Sequence, residues 1–176
     1  MQLIGSNEPE TRWLLKNLGH IENLDLLFAI FPDAKVIQIH RDPAKAVPSL
    51  VSLLMHLHSI TEEGRHQPAR RDAARSRGRE RSYAVRKAER VRQEHAGQVL
   101  DIVHAETYRD PMGVLERIYG FIGMEITNEV RAYFAKRIRD RPELSHDVHR
   151  YNVADYGMTE AQVRESFSDY IQRHGL

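Results

Sequence analysis

Apolar residues recur along this chain with two different periods, and the switches between them mark its elements. Ile21, Leu24, Leu27, Phe28 and Phe31 fall at helical spacing, and Pro32-Asp33 closes that helix because proline cannot continue it. Lys35 to His40 alternates and is rich in β-branched residues, which is a strand signal. Arg41-Asp42-Pro43 follows at once. Asp42 suits an N-cap and Pro43 the first helical position, so the Leu-, Val- and Met-rich run from Ala44 to His58 reads as a helix packed on a sheet. Val99 to His104 is the next strand. Asp110-Pro111 then opens a helix with the apolar stripe Val114, Leu115, Ile118, Tyr119 and Ile122, ending at Gly123. Thr127 to Ile138 is amphipathic, and Leu144 to Tyr151 is a polar loop. Thr159 starts a last helix with Val163, Phe167 and Tyr170 on one face, and Gln162 completes a capping box. Near the start, Arg12-Trp13-Leu14-Leu15-Lys16 reads as a buried strand ending on lysine, followed by a turn from Asn17 to His20. Helices alternating with strands predict an α/β fold around a parallel sheet.

Composition changes this picture in one place. Apolar residues make up 41% and charged residues 29%, with a net charge of +1, an ordinary globular balance with no global field toward nucleic acid or membrane. Between Thr61 and Gln98, however, eleven arginines and lysines from Arg65 to Arg92 stand against six acids from Glu62 to Glu94. Gly64, Pro68 and Gly78 break the first half of this stretch into an exposed loop, a candidate lid, and a helix is expected from Arg79 to Gln98. With no internal repeat or low-complexity linker, residues 1–176 read as one domain. There is no cysteine, so disulfides, thiol nucleophiles and Cys-based zinc sites are excluded. The opening residues show no basic region followed by an apolar run, and no apolar stretch is long enough to span a bilayer. A cytoplasmic protein with no membrane partner is the expectation.

Chemistry concentrates at His40-Arg41-Asp42-Pro43 with Ser49, eight residues beyond Arg41. A strand delivers Arg41 to its carboxyl end, where open α/β sheets bind ligands. The following helix is expected to present free N–H groups and the positive end of its dipole. Guanidinium suits bidentate phosphate contact, and a serine hydroxyl near the same helix end can meet the same oxyanion. The plainer account pairs Arg41 with Asp42 and lets Ser49 bond back within its helix. Pro48 lies inside this helix and predicts a kink.

Taken in order, Trp13-Leu14-Leu15-Lys16 with His20, Phe31-Pro32-Asp33-Ala34-Lys35, and His40-Arg41-Asp42-Pro43 with Ser49 resemble the sulfotransferase family of bacterial type. The resemblance continues through Asp110-Pro111 and Tyr119 to Gly123. It ends in His149-Arg150-Tyr151, Asp155 to Met158 and Phe167 to Tyr170, with the basic stretch its weakest part. It implies a P-loop-NTPase-like parallel sheet flanked by helices. It also implies use of 3′-phosphoadenosine 5′-phosphosulfate (PAPS), with its product 3′-phosphoadenosine 5′-phosphate (PAP). Arg41 and Ser49 would then bind the 3′-phosphate, with Arg150 as a second phosphate contact. Lys16 would lie near the reaction centre and His20 would act as general base on an acceptor hydroxyl. Sulfuryl transfer to a hydroxyl or amine on a small-molecule, carbohydrate or lipid acceptor follows, with no metal. Leu18 stands where the family has proline, and His104 where it often has tyrosine. The family's Gly- and Ser-rich loop for the 5′-phosphosulfate lies well upstream of its Trp-to-Lys strand, whereas twelve residues precede Trp13. The expectation is therefore an N-terminally truncated, helix-rich member that is inactive alone, or a homo-oligomer that covers the surface left open.

Two further patterns carry less. His146 and His149, with Asp147 between them, lack a third ligand, and His56 and His58 point to different faces of a helix. An alternative of another class is a nucleic-acid-binding module using the arginines of 65–92. Tyr83 is the sole aromatic there for stacking and acids are interspersed, so nucleic acid is not the expected partner.

Overall fold

The computed structural model describes residues 12–61, 82–140, 154 and 158–176 of the chain. A 3-10 helix, Leu18–Asn23, leads into helix α1, Leu24–Ile30. Strand β1, Val36–His40, is followed by helix α2, Pro43–Thr61. A helix described over 82–94, α3, precedes strand β2, Val99–Val103. Helices α4 (Glu106–Arg109), α5 (Pro111–Ile122) and α6 (Asn128–Arg139) come next, and α7 (Glu160–Ser166) and α8 (Ser168–His174) close the chain.

β1 and β2 pair in parallel, in register from Val36 opposite Val99 to His40 opposite Val103. Because side chains alternate along a strand, Gln38, His40 and Asp101 share one face of the pair and Ile37, Ile39 and Ile102 the other. α3 joins two apolar clusters. Its small residues Ala84 and Ala88, four apart and both buried, let the helix approach closely. On one side Ala88 packs with Leu24 and Phe28 of α1, edged by Val36 and Val99. On the other, Val85 borders a cluster of Val47, Met158, Val163 and Phe167, which docks α7 on α2. Ser82 donates to the Ser166 carbonyl at 2.7 Å, which satisfies an end of α7 that helical bonding leaves open.

Local sequence explains most boundaries. Asp110 accepts the Gly113 N–H at 2.9 Å, Thr127 accepts from Val130, and Thr159 with Gln162 forms the reciprocal capping box. Gly123 ends α5 at φ 72°, a left-handed conformation that glycine adopts without a Cβ penalty. Arg12 and Lys35 reach the carbonyls of Ile122 and Phe121 at 2.7 and 2.5 Å, bringing positive charge to the negative end of α5.

The structure corrects three expectations. Residues 12–17 form no strand: Trp13 is 50% and Leu14 91% exposed, and no strand pairs with them among the described residues. An apolar run this short takes its state from its neighbours, and among the described residues none completes a ladder with it. The helix expected from Ile21 begins instead as a 3-10 turn capped by the Asn17 side chain, which accepts the Gly19 N–H at 2.8 Å. The last helix is broken at Phe167, whose φ of −119° and ψ of 19° separate α7 from α8. The loop from Leu144 to Tyr151, Arg150 within it, and the basic residues from Arg65 to Arg81 lie outside the described residues. Among the described residues, no helix is long and apolar enough to cross a membrane.

Candidate functional site

The carboxyl ends of the two parallel strands carry His40-Arg41-Asp42 and His104. The main chains are tied there, since the His104 N–H donates to the His40 carbonyl at 2.7 Å. Arg41, the first residue beyond β1, is exposed and makes no ion pair with another described residue. Its charge is felt by His104, whose pKa is pushed below the usual histidine range by burial and by the Arg41 guanidinium. His104 in turn sets its ring edge-on against Tyr108, with centroids 5.1 Å apart. A cation and a half-buried imidazole held neutral thus face the same edge, an arrangement that favours an anion.

Asp42 does not neutralise Arg41. Its Oδ1 accepts the Ala44 N–H at 3.0 Å, and its Oδ2 pairs with Arg164 of α7 at 2.5 Å. The Asp42 carbonyl also accepts the N–H groups of Lys45 and Ala46, both at 2.9 Å. Pro43 has no N–H. The first turn of α2 therefore has no donor left over, which corrects the expectation of free N–H groups there. The exposed cation at this edge is Arg41, not a donor from the first turn of α2. Ser49 is half-buried on α2, about 9 Å along the axis from the start of the helix. Pro48, beside it, is fully buried.

Lys16 is exposed in the irregular segment before Asn17, and His20 is half-buried in the 3-10 helix. Among the described residues, no hydrogen bond, ion pair or ring contact joins either of them to Arg41 or Ser49. The described half of the basic stretch is mostly engaged within the molecule. Lys87 pairs with Asp25 at 2.8 Å, Arg86 bonds Ser82, and Arg92 reaches into the sheet.

Behind Arg41 lies a polar network that local sequence patterns do not announce. His40 is 0% exposed. Its Nε2 lies 2.7 Å from Asp101 Oδ1 and its Nδ1 2.8 Å from the Tyr170 hydroxyl, and its ring stacks on His174 at 3.7 Å. Arg92 donates to both Asp101 oxygens at 2.5 Å and to Glu89 at 3.1 Å. Glu89 also takes Arg173 at 2.8 Å and His174 at 3.1 Å. Burial pushes the Asp101 carboxyl up, but the His40 bond and the Arg92 charge outweigh it and leave the pKa lowered. Burial likewise lowers His40, more than the Asp101 bond raises it. Burial pushes the Tyr170 hydroxyl up to about 12.

One atom each of His40, Asp101 and His174 lies within 4.8 Å of the others, a spacing that a metal ion would accept. Both His40 nitrogens are already bonded, and Arg92 already supplies the cation for Asp101, so the group reads as a hydrogen-bond network, in which the buried Arg92 Nε alone finds no partner among the described residues. The sequence signal that was available is positional. His104 follows β2 as Arg41 follows β1, so a parallel pairing brings them to one edge.

A model of the sulfotransferase family matches residues 1–128. No curated protein sequence matches the chain. Among solved structures, the sulfotransferase STF9 from Mycobacterium avium is similar at 28% identity and a TM-score of 0.81, over 98% of this chain and 44% of that one. The sulfotransferase STF1 from Mycobacterium tuberculosis H37Rv is similar at 30% identity and a TM-score of 0.72, over 94% of this chain and 41% of that one. The chain thus spans less than half the length of either structure.

Proposed function

Because this chain belongs to the sulfotransferase family, we propose that the carboxyl edge of β1 and β2 is the half of a PAPS site that reads the nucleotide's 3′-phosphate. The observation that carries this reading is the state of Arg41: exposed at a strand end, with its neighbour Asp42 already committed to Arg164 and to the cap of α2. Ser49, farther along α2, is proposed as the hydroxyl partner, and His104, held neutral by burial and by the Arg41 charge, lines the edge without opposing that charge. Arg150 is proposed as a second phosphate contact.

Bound PAPS would supply the sulfuryl group for in-line transfer to a hydroxyl or amine acceptor. On this reading Lys16 stands near the reacting group and His20 accepts the acceptor's proton. The residues with the best support bind the nucleotide rather than the transferring group. Charge that develops on the 5′ leaving side needs preorganised donors of its own, so we propose nucleotide binding as this chain's contribution and transfer as dependent on donors for that side.

Calorimetric titration with PAP, against adenosine 5′-monophosphate as control, tests the reading. Saturable binding that requires the 3′-phosphate is expected. Arg41→Ala should weaken it at least about tenfold, the scale of a charge-assisted bond to phosphate. Equal affinity for the two nucleotides, or an unaffected Arg41→Ala variant, would remove the 3′-phosphate from the proposal.

A further inference from the structure

His40 cannot touch a ligand, since none of it is exposed, yet it is the residue from which Arg41 leaves the sheet. It is fixed on every side. Its carbonyl takes the His104 N–H, its Nε2 meets Asp101, its Nδ1 meets Tyr170, and its ring lies on His174. The proton positions follow from the partners. Arg92 grips both oxygens of Asp101, so the carboxylate is ionised and can only accept, and Nε2 must carry the hydrogen. Nδ1 is then an acceptor and the Tyr170 O–H its donor. One neutral tautomer fits and the alternative does not, which locks the ring and, through it, the last residue of β1.

We infer that His40, held by Tyr170 and Asp101, is a positioning residue that fixes the backbone from which Arg41 meets an anion. The inference rests on the phosphate reading of Arg41. It extends the site to α8, because Tyr170 lies 130 positions from His40 in the chain. A binding cation must be held to within a fraction of an ångström to make two parallel bonds, and rotamers locked from behind achieve this.

The test is a double-mutant cycle on the full chain with PAP as the titrant. Tyr170→Phe removes the hydroxyl and keeps the ring. It should weaken binding about fivefold, the scale of one hydrogen bond. In the Arg41→Ala background the same change should cost less than about twofold, because what it positions is gone. His40→Gln keeps a donor near the Nε2 position for Asp101 and gives up the Tyr170 bond, so it should behave like Tyr170→Phe. An equal loss in both backgrounds would show a general structural role and overturn the inference, as would a Tyr170→Phe protein that binds like wild type. If wild type does not bind PAP, or Arg41→Ala binds as well as wild type, the phosphate reading falls and this inference with it.

Discussion

Asp42 uses one carboxylate for two tasks, capping α2 through the Ala44 N–H and tethering α7 through Arg164. The two can be separated. Asp42→Ala loses both and should cost about 1–2 kcal/mol in urea unfolding, mostly from the cap. Asp42→Asn keeps a capping oxygen and loses the ion pair, which is half-exposed on the Arg164 side and worth at most about 1 kcal/mol. Equal losses in the two variants would mean that the pair with α7 matters more than the cap. The residue scale is also where the site was least evenly legible. Arg41, Asp42 and Ser49 declare themselves because a strand end, a cap and a helix start fall within ten residues. His40 looked like the last alternating residue of a strand. Its partners Asp101 and Tyr170 lie 61 and 130 positions away, and no local period reports a contact at that range. Lys16 and His20 rested on family resemblance, and the geometry brings neither into contact with Arg41.

At the scale of elements, α5 offers a sharp test of capping against propensity. A Cβ built on Gly113 would sit 2.0 Å from Asp110 Oδ2, so alanine there must push the capping side chain aside. Displacing the cap costs about 1 kcal/mol, and exchanging glycine for alanine inside a helix returns about the same. Gly113→Ala alone should therefore leave the melting free energy nearly unchanged. In an Asp110→Ala background, where no cap remains to lose, it should stabilise by about 1 kcal/mol. Equal effects in the two backgrounds would show that Asp110 relaxes without giving up its bond. α3 makes the opposite case, for packing alone: Ala88 is 1% exposed between Leu24 and Phe28, and Ala88→Leu should destabilise by about 1–3 kcal/mol. Elements with their own caps, such as α5, α6 and α7, were legible in the sequence, as were both strands with their alternation. The segment around Trp13 was not, because a strand exists only with a partner strand and Leu14 finds none among the described residues. The break at Phe167 was equally hidden, since Val163, Phe167 and Tyr170 keep one apolar face across it.

For the molecule as a whole, the network around His40 couples the end of β1 to α8, and its protonation should be visible as stability. The groups acting on the His40 ring are Asp101 from β2, Arg92 from α3, and Tyr170 and His174 from α8, with Glu89 behind them on Arg92 and His174. Burial lowers the pKa of His40, so the unfolded chain takes up a proton as pH drops below about 6.5 while the folded chain resists. Stability from this group is complete above that value and is lost as pH falls toward the lowered folded pKa. Asp101 acts in the same direction at more acidic pH, because its carboxyl is also held below the usual range. Tyr170 acts with the opposite sign. Its folded pKa is about 12, so above pH 10 the unfolded chain ionises first and stability falls with rising pH. A plateau between about pH 6.5 and 10, with losses on both sides, is expected in thermal melts. His40→Gln should shrink the shoulder below 6.5, leaving the part that His104, also lowered by burial, contributes, and Tyr170→Phe should flatten the one above 10. Hydrogen exchange at mildly acidic pH should show where the loss falls. If the network holds α8 on the sheet, the amides of Ser168–His174 should lose protection together with that of His104, while those of α5 and α6 remain slow. Uniform loss across all helices would instead mean that protonation destabilises the fold as a whole, without releasing α8 first.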